Sequence, residues 1–435
     1  MHGKVSSSGI LIAGLSADAR LERYFLMDPN TLKTTEFTYD IGAQRQAVLD
    51  LLNRNVSRDE LPYGLQQPED LLPYYLHPHS ALQVASGEII VGYKQAPYLR
   101  RISPANFEGT LWPPLPDVDG AWNTFGSTHC ELRPDVIAAV TSPTNDQFER
   151  YKDKSKLIGA TIISYDLRTE ASEVIAELPR FALDTVHELE YSRAGFFVAV
   201  DMNLEIDSRP GAQIWEGDGP KAVDEYARTR FTPSAFLVYE SGYEPIIWRP
   251  ETPCSSHVDI DLDDPSVFYV SCNNISKRRK GIVIHGPGLI EKFRYSKGRL
   301  ERLARTDFPH MMRITTHELF HRNGRELLAV TVYPNQLWVL SADDLKIVKV
   351  VQLFPENPIV APCAASRSGF VPLYLNVLDD GDHVILTGAS RAFVVSIDEG
   401  RVVAYNDFCE PGSFIATAHG TLVNSNVQLG DAVSL

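Results

Sequence analysis

Cysteine is scarce in this chain of 435 residues: five in all, an odd number with no Cys-x-x-Cys spacing. That argues against a disulfide-framed scaffold, and the expected compartment is a reducing cytoplasm. Positive charge is also in deficit. Lys and Arg number 41 against 56 Asp and Glu, a net charge of −15, which argues against nucleic acid as a partner. The single basic run, Lys277-Arg278-Arg279-Lys280, lies in a polar stretch and reads as a solvated loop. No apolar run is long enough to span a bilayer, and the apolar patch after Ser8 is too short for a signal-peptide core. No transmembrane segment is therefore expected, and peripheral membrane contact stays open. The chain also lacks a Gly-x-Ser-x-Gly elbow, a phosphate loop and a dinucleotide fingerprint. Gly/Ser or Pro-rich linkers are missing too, so residues 1–435 read as one domain.

Strand signals fill the space that these absences leave. Runs such as Ile89-Ile90-Val91, Phe196-Phe197-Val198-Ala199-Val200 and Val267-Phe268-Tyr269-Val270 each follow a turn rich in Gly, Asp, Asn or Pro. A second kind of strand alternates with them, as in Ser234–Tyr239 and Gln336–Ser341. The period, roughly 45–70 residues per unit, is the pattern of propeller blades. The expected fold is all-β, a seven-bladed β-propeller. Blade starts fall near His79, His129, His187, His257, His317, Tyr374 and His419. Closure is expected to draw the N-terminal strand into the last blade. Residues 49–78, with several Pro and acidic positions, read as a helical or irregular insertion, lid-like in character.

Histidines carry the chemistry. His129, His187, His257 and His419 each stand where a polar stretch turns into an apolar strand. Four imidazoles entering four strands from equivalent ends can hold a metal on a central axis, and neutral nitrogen donors suit Fe, Zn, Cu or Ni. His317 has equally good local sequence: it is expected to line the channel, as a catalytic residue together with Glu318, or else to replace one of the four as a ligand. His77, His79, His310 and His321 read as surface or tunnel residues. His317-Glu318-Leu319-Phe320-His321 has the lettering of a zincin helix, but its β-branched lead-in favours a strand. In a strand, positions i and i+4 stand about 13 Å apart, too far to share one ion. Asp259 to Asp264 read as an acidic turn, Asp379-Asp380-Gly381 as another, and Cys130 is expected to face away from the axis.

The ordered set resembles the carotenoid cleavage oxygenases, over about residues 80–425. Leu82 to Tyr98 is similar to that family's segment before its first histidine, and Thr128-His129 falls where the histidine falls. Thr185-Val186-His187-Glu188-Leu189, followed by Phe196 to Asp201, is similar to its second motif. Trp248 through Cys254-Ser255-Ser256-His257 resembles the third. Gly369-Phe370-Val371-Pro372, Asp379 to Asp382 and Ala418-His419-Gly420-Thr421-Leu422-Val423 resemble the run to the fourth.

The resemblance implies Fe(II) on His129, His187, His257 and His419, O2 as co-substrate, and an apolar conjugated alkene held in a tunnel and split into two carbonyl fragments. In that family glutamates steady the ligand histidines. The matching positions here are Lys94, Asp307 and Arg367-Ser368, so the role passes to Glu131, Glu188 and Asp259 or the iron site is altered. A metal-dependent propeller lyase, hydrolase or isomerase, and a non-catalytic binding propeller, are the competing readings.

Overall fold

The computed structural model describes residues 8–55, 67, 69, 72, 76, 78–93, 98–111, 123–143, 161–178, 186–201, 236–248, 250, 255–272, 275–278, 281–284, 288–309, 313–333, 336–353, 374–388, 390–410, 414–416 and 421–424. Among these residues six four-stranded sheets and one five-stranded sheet form the seven blades. Blade 1 runs from Pro78 to Leu111, blade 2 from Asn123 to Glu177, and blade 3 from Val186 to Trp248. Blade 4 spans Ser255–Asp307, blade 5 Arg313–Gln352 and blade 6 Tyr374–Asp407. Blade 7 is shared between the ends of the chain. Strand Ser8–Ser16 pairs with Leu21–Met27 on one side, and with Phe414–Ala416 and Thr421–Asn424 on the other. The seven-bladed fold and the closure by the N-terminal strand are as the sequence predicts.

The apolar runs are the second strands of the blades. They read as continuous because both faces of an inner sheet are covered by neighbouring blades. Ile90 packs with Ile137 and Ala139 of blade 2, while Ile89 and Val91 pack with Leu11 and Tyr24 of blade 7. Similar clusters join blades 2 and 3, 3 and 4, 4 and 5, and 5 and 6. Ile385 and Val394 against Ile10, Ile12 and Phe25 join blade 6 to blade 7, completing the ring.

Tight turns lie on one face. Asp135, Gly195, Asn323, Gly381 and Gly400 adopt positive φ there, which the short reversals require. The long connections, among them those between Asp201 and Phe236 and between Gln352 and Tyr374, leave the opposite face. The inner strands begin on that second face.

The insertion differs from expectation in its bounds. A helix occupies Gly42–Asn55, so it starts before residue 49. Val48, Leu72 and Leu76 are buried with Leu15, Tyr93 and Tyr98, anchoring this segment to the seam between blades 7 and 1. The reason is apolar content: those three side chains lose water by docking there. Lys94, Arg367 and Ser368 lie outside the described residues, as do His77 and His310.

Candidate functional site

Each innermost strand that bears a histidine carries a register irregularity close to it. The breaks fall between Pro78 and Ser80, Phe125 and His129, Val186 and Glu188, Ser255 and His257, and Ile314 and Thr316. A bulge adds a residue to one strand and re-aims the side chains beside it. The consequence is a row of imidazoles from different blades.

His79, His187, His257 and His317 are all buried. His79 Nε2 lies 2.9 Å from His187 Nε2, with the rings edge to face at 4.7 Å between centroids. The row continues from His187 to His257 at 5.2 Å and from His257 to His317 at 6.3 Å. Two neutral imidazoles can share the 2.9 Å gap only if one donates and the other accepts. Both lone pairs can face a common point when a cation lies between them. Metal–nitrogen bonds of about 2.0–2.1 Å at a right angle separate the nitrogens by about 2.9 Å. Among the described residues no three His, Cys, Asp or Glu side chains converge at ligand distance. The donor types and the Nε2 separation nonetheless fit a divalent transition metal.

Carboxylates back the row from the preceding blade. Glu188 Oε2 accepts the Val258 N–H at 2.7 Å and lies 3.3 Å from His257 Nδ1. Asp259 Oδ2 lies 3.5 Å from His317 Nε2, and Asp259 accepts the Leu319 N–H. Glu318 accepts the Val377 N–H at 3.3 Å. Each acid thus ties one inner strand to the next, and two of them face a histidine of the following blade. A carboxylate on one ring nitrogen orients the imidazole and leaves its other nitrogen for a metal.

Burial pushes Glu188, Glu190 and Glu318 up to about 8 and raises Asp259 well above the carboxylate range, with the charges of Glu188 and Glu190 adding to it. Among the described residues no lysine or arginine pairs with these four acids. A region rich in imidazole and carboxyl groups without a paired base is suited to a cation.

The expected residues fall into three groups. His187, His257 and His317 lie in the row, while Glu318 faces blade 6, where it accepts the Val377 N–H. His129 is on the inner strand of blade 2 opposite Ala139, but its side chain lies outside the description, and His419 lies outside the described residues altogether. Of the two places expected for His79, surface or tunnel, the structure excludes the surface: it is buried against His187 at the bulge of the blade 1 inner strand. The signal was present in the sequence, since His79 marks a blade start like the others.

Of the positions that match the family's glutamates, Asp307 alone could still accept a bond from a histidine, and the structure excludes it. It ends the outer strand of blade 4, half-exposed and paired with Arg305, so it cannot steady an axial ligand. Glu188 and Asp259 do face histidines of the following blade, while Glu131 instead accepts the Ala85 and Asp135 N–H groups. Asp259 therefore belongs to the site. The turn after it is built by Asp261, whose Oδ1 accepts two backbone N–H groups. His317 and His321 share strand Arg313–Arg322, where His321 is half-exposed against Asp263. Cys130 packs in the core between blades 2 and 3.

No family model matches the chain, and no curated protein does. Solved structures match along most of its length. One protein from Lactobacillus plantarum is 10% identical, covering 96% of this chain and 99% of its own, with a TM-score of 0.48. Apo AztD from Citrobacter koseri is 10% identical over 94% of this chain and 84% of its own, TM-score 0.42. The dihydro-heme d1 dehydrogenase NirN in complex with DHE is 8% identical over 91% of this chain, TM-score 0.44. The match covers 63% of the NirN chain. Likeness of this degree carries no argument about chemistry.

Proposed function

We propose that this chain is a metal-dependent enzyme with its centre on the propeller axis, and specifically a non-haem Fe(II) oxygenase that cleaves a carbon–carbon double bond of an apolar conjugated substrate. The observation that carries the reading is the buried row His79, His187, His257 and His317, with Glu188 facing His257 and Asp259 facing His317. The alkene chemistry comes from the resemblance to the carotenoid cleavage oxygenases. His79, His187 and His257 form the tight end of the row and would hold the ion. His129, on the strand between those of His79 and His187 in the ring, and His419 are retained as ligands from the sequence.

Iron, when bound, supplies O2 activation. The chain's own part is to hold the imidazoles and exclude water. Glu188, with Oε2 3.3 Å from His257 Nδ1, is placed to orient that ring. Asp259 Oδ2, 3.5 Å from His317 Nε2, faces that ring from the preceding blade, while Glu318 turns toward blade 6.

A second reading is favoured by Glu188 and Asp259, two carboxyls that face imidazoles, a set able to move protons. There a divalent metal polarises the substrate and the enzyme is a lyase, hydrolase or isomerase. Metal analysis of untagged protein, followed by 18O2 incubation with stilbene-like and polyene substrates, separates the readings. About one iron per chain with labelled carbonyl products supports the oxygenase. Magnesium, manganese or zinc, with turnover independent of oxygen, moves the assignment to the second class. Absence of any bound metal leaves a binding propeller. His187→Ala is expected to lose most bound metal, and full occupancy in that variant would overturn the axial site.

A further inference from the structure

The seam between blades 7 and 1 holds a polar group apart from the histidine row. Glu22 belongs to strand Leu21–Met27, third from the axis in blade 7, and Arg100 to strand Arg100–Ile102, third in blade 1. His79 stands on the innermost strand, two strands further in. Both charged residues are buried, Glu22 at 0% and Arg100 at 3% exposure.

Donors outnumber acceptors here. Glu22 takes the Arg100 Nε–H and the hydroxyls of Tyr24 and Tyr93. Arg100 uses that Nε–H alone, 2.5 Å from Glu22 Oε2 and 3.3 Å from the Tyr93 hydroxyl oxygen. Its two terminal amino groups have no acceptor among the described residues. The Tyr39 ring covers one face of the guanidinium at 4.2 Å, but the N–H bonds lie in the guanidinium plane and are not served by it.

Tyr98 adds one more donor. It is 8% exposed, and its hydroxyl has no partner among the described residues. Tyr93 links it to Arg100: the Tyr93 ring meets that of Tyr98 at 4.6 Å between centroids, and the Tyr93 hydroxyl is the one beside Arg100 Nε. Burial pushes the Tyr98 hydroxyl well above its usual range, the Glu22 charge adding to this and the Arg100 charge opposing it. The phenol therefore keeps its proton, within the field of both charges. Leu15, Ile41, Val48, Leu72 and Leu76 pack with Tyr93 and Tyr98 as an apolar wall. Buried donors are rarely left without acceptors, because each loses its water without replacement.

We propose that the seam between blades 7 and 1 binds an apolar molecule through a neutral carbonyl oxygen, held by the Arg100 terminal amino groups and the Tyr98 hydroxyl. A carbonyl suits them because it offers two lone pairs and brings no proton of its own. It is neutral because Glu22 already balances Arg100, and a carboxylate would bury an uncompensated charge. The site needs no metal, so its test is independent of the axial reading.

Full-length protein is titrated calorimetrically with methyl naphthyl ketone, ethylnaphthalene and naphthoate, three groups on one apolar body. Wild type is compared with Tyr98→Phe and with Glu22→Leu combined with Arg100→Met, which leaves the seam neutral. Wild type is expected to bind the ketone about tenfold or more tightly than the hydrocarbon or the carboxylate. Tyr98→Phe should lose about fivefold to tenfold in ketone affinity, one hydrogen bond's worth, with hydrocarbon affinity unchanged. The double variant should lose the preference for ketone altogether. Ligand-free Tyr98→Phe should melt no lower than wild type, since the hydroxyl it gives up is unpartnered. No ketone binding by wild type, equal ketone and hydrocarbon affinities, or a preference for naphthoate overturns the proposal. A lower midpoint in Tyr98→Phe shows the hydroxyl already bonded within the protein and overturns it too. Should the double variant fail to fold, unchanged ketone affinity in Tyr98→Phe overturns it by itself.

Discussion

Glu190 sits three residues beyond His187 with its carboxyl pushed up to about 8, first by burial and then by the charge of Glu188. The folded chain then holds a proton on Glu190 at pH values where the unfolded chain, with an ordinary carboxyl, has released it. A group whose folded pKa is raised in this way contributes a stability that is present below the unfolded pKa and falls as pH rises toward the folded one. The window is about 4.5 to 8. For a half-buried carboxyl the loss across it is roughly 1–3 kcal/mol in metal-free protein. Glu190→Gln removes the titration, so its stability, measured by urea denaturation, should change less than wild type between pH 5 and pH 8. Identical slopes for the two proteins would show that Glu190 titrates normally in the fold.

At the scale of elements, two junctions are built differently. Between blades 7 and 1, Glu22 and Arg100 form a buried ion pair, Nε to Oε2 at 2.5 Å. Tyr24 and Tyr93 donate their hydroxyls to the same carboxylate at 2.9 and 2.7 Å, and the Arg100 guanidinium lies 4.2 Å from the Tyr39 ring centre. Burial and the nearby Glu22 charge hold the Tyr93 hydroxyl well above its usual range. Removing one partner strands the other charge, so Arg100→Ala is expected to cost about 3–5 kcal/mol in chemical denaturation. Glu22→Leu combined with Arg100→Met, which removes both charges, should recover much of that loss.

Between blades 5 and 6 one turn comes backbone against backbone, at Gly381. Gly381 has φ +65°, and a Cβ there would stand 2.7 Å from the His321 carbonyl oxygen. Gly381→Ala is therefore strained twice, by conformation and by the neighbouring turn, and should lose roughly 1–3 kcal/mol. Arg322, which binds Asp382 at 3.0 Å beside this turn, gives a comparison. As a partly exposed pair, its loss in Arg322→Ala should be smaller.

For the whole molecule, closure depends on a few residues of the C-terminal segment. Phe414–Ala416 and Thr421–Asn424 pair with Ser8–Ser16 and supply the innermost position of blade 7. A chain ending at Pro411 would expose the inner edge of Ser8–Ser16, an apolar strand with unpaired N–H and C=O groups. Such a truncation is expected to unfold at lower temperature and to associate, seen by calorimetry and light scattering. A monodisperse truncated protein with the wild-type midpoint would mean that the six other blades hold the ring unaided.

Blade number, strand order and closure were legible because they rest on short-range information. Side chains alternate with period two, turn residues recur at each reversal, and a strand covered on both faces reads as a continuous apolar run. His187 and His257 were legible as axial for the same reason: each lies at the start of such a strand. What only the tertiary structure decided is which residues meet. Glu188 reaches a histidine 69 residues further on, and Asp259 one 58 residues on, across a blade boundary that no local pattern marks. Bulges move His79 into line with His187, a shift of one residue that reverses which face a side chain takes. Sequence periodicity determines the sheets, but the axis is made where seven sheets converge, and that convergence depends on how the blades pack.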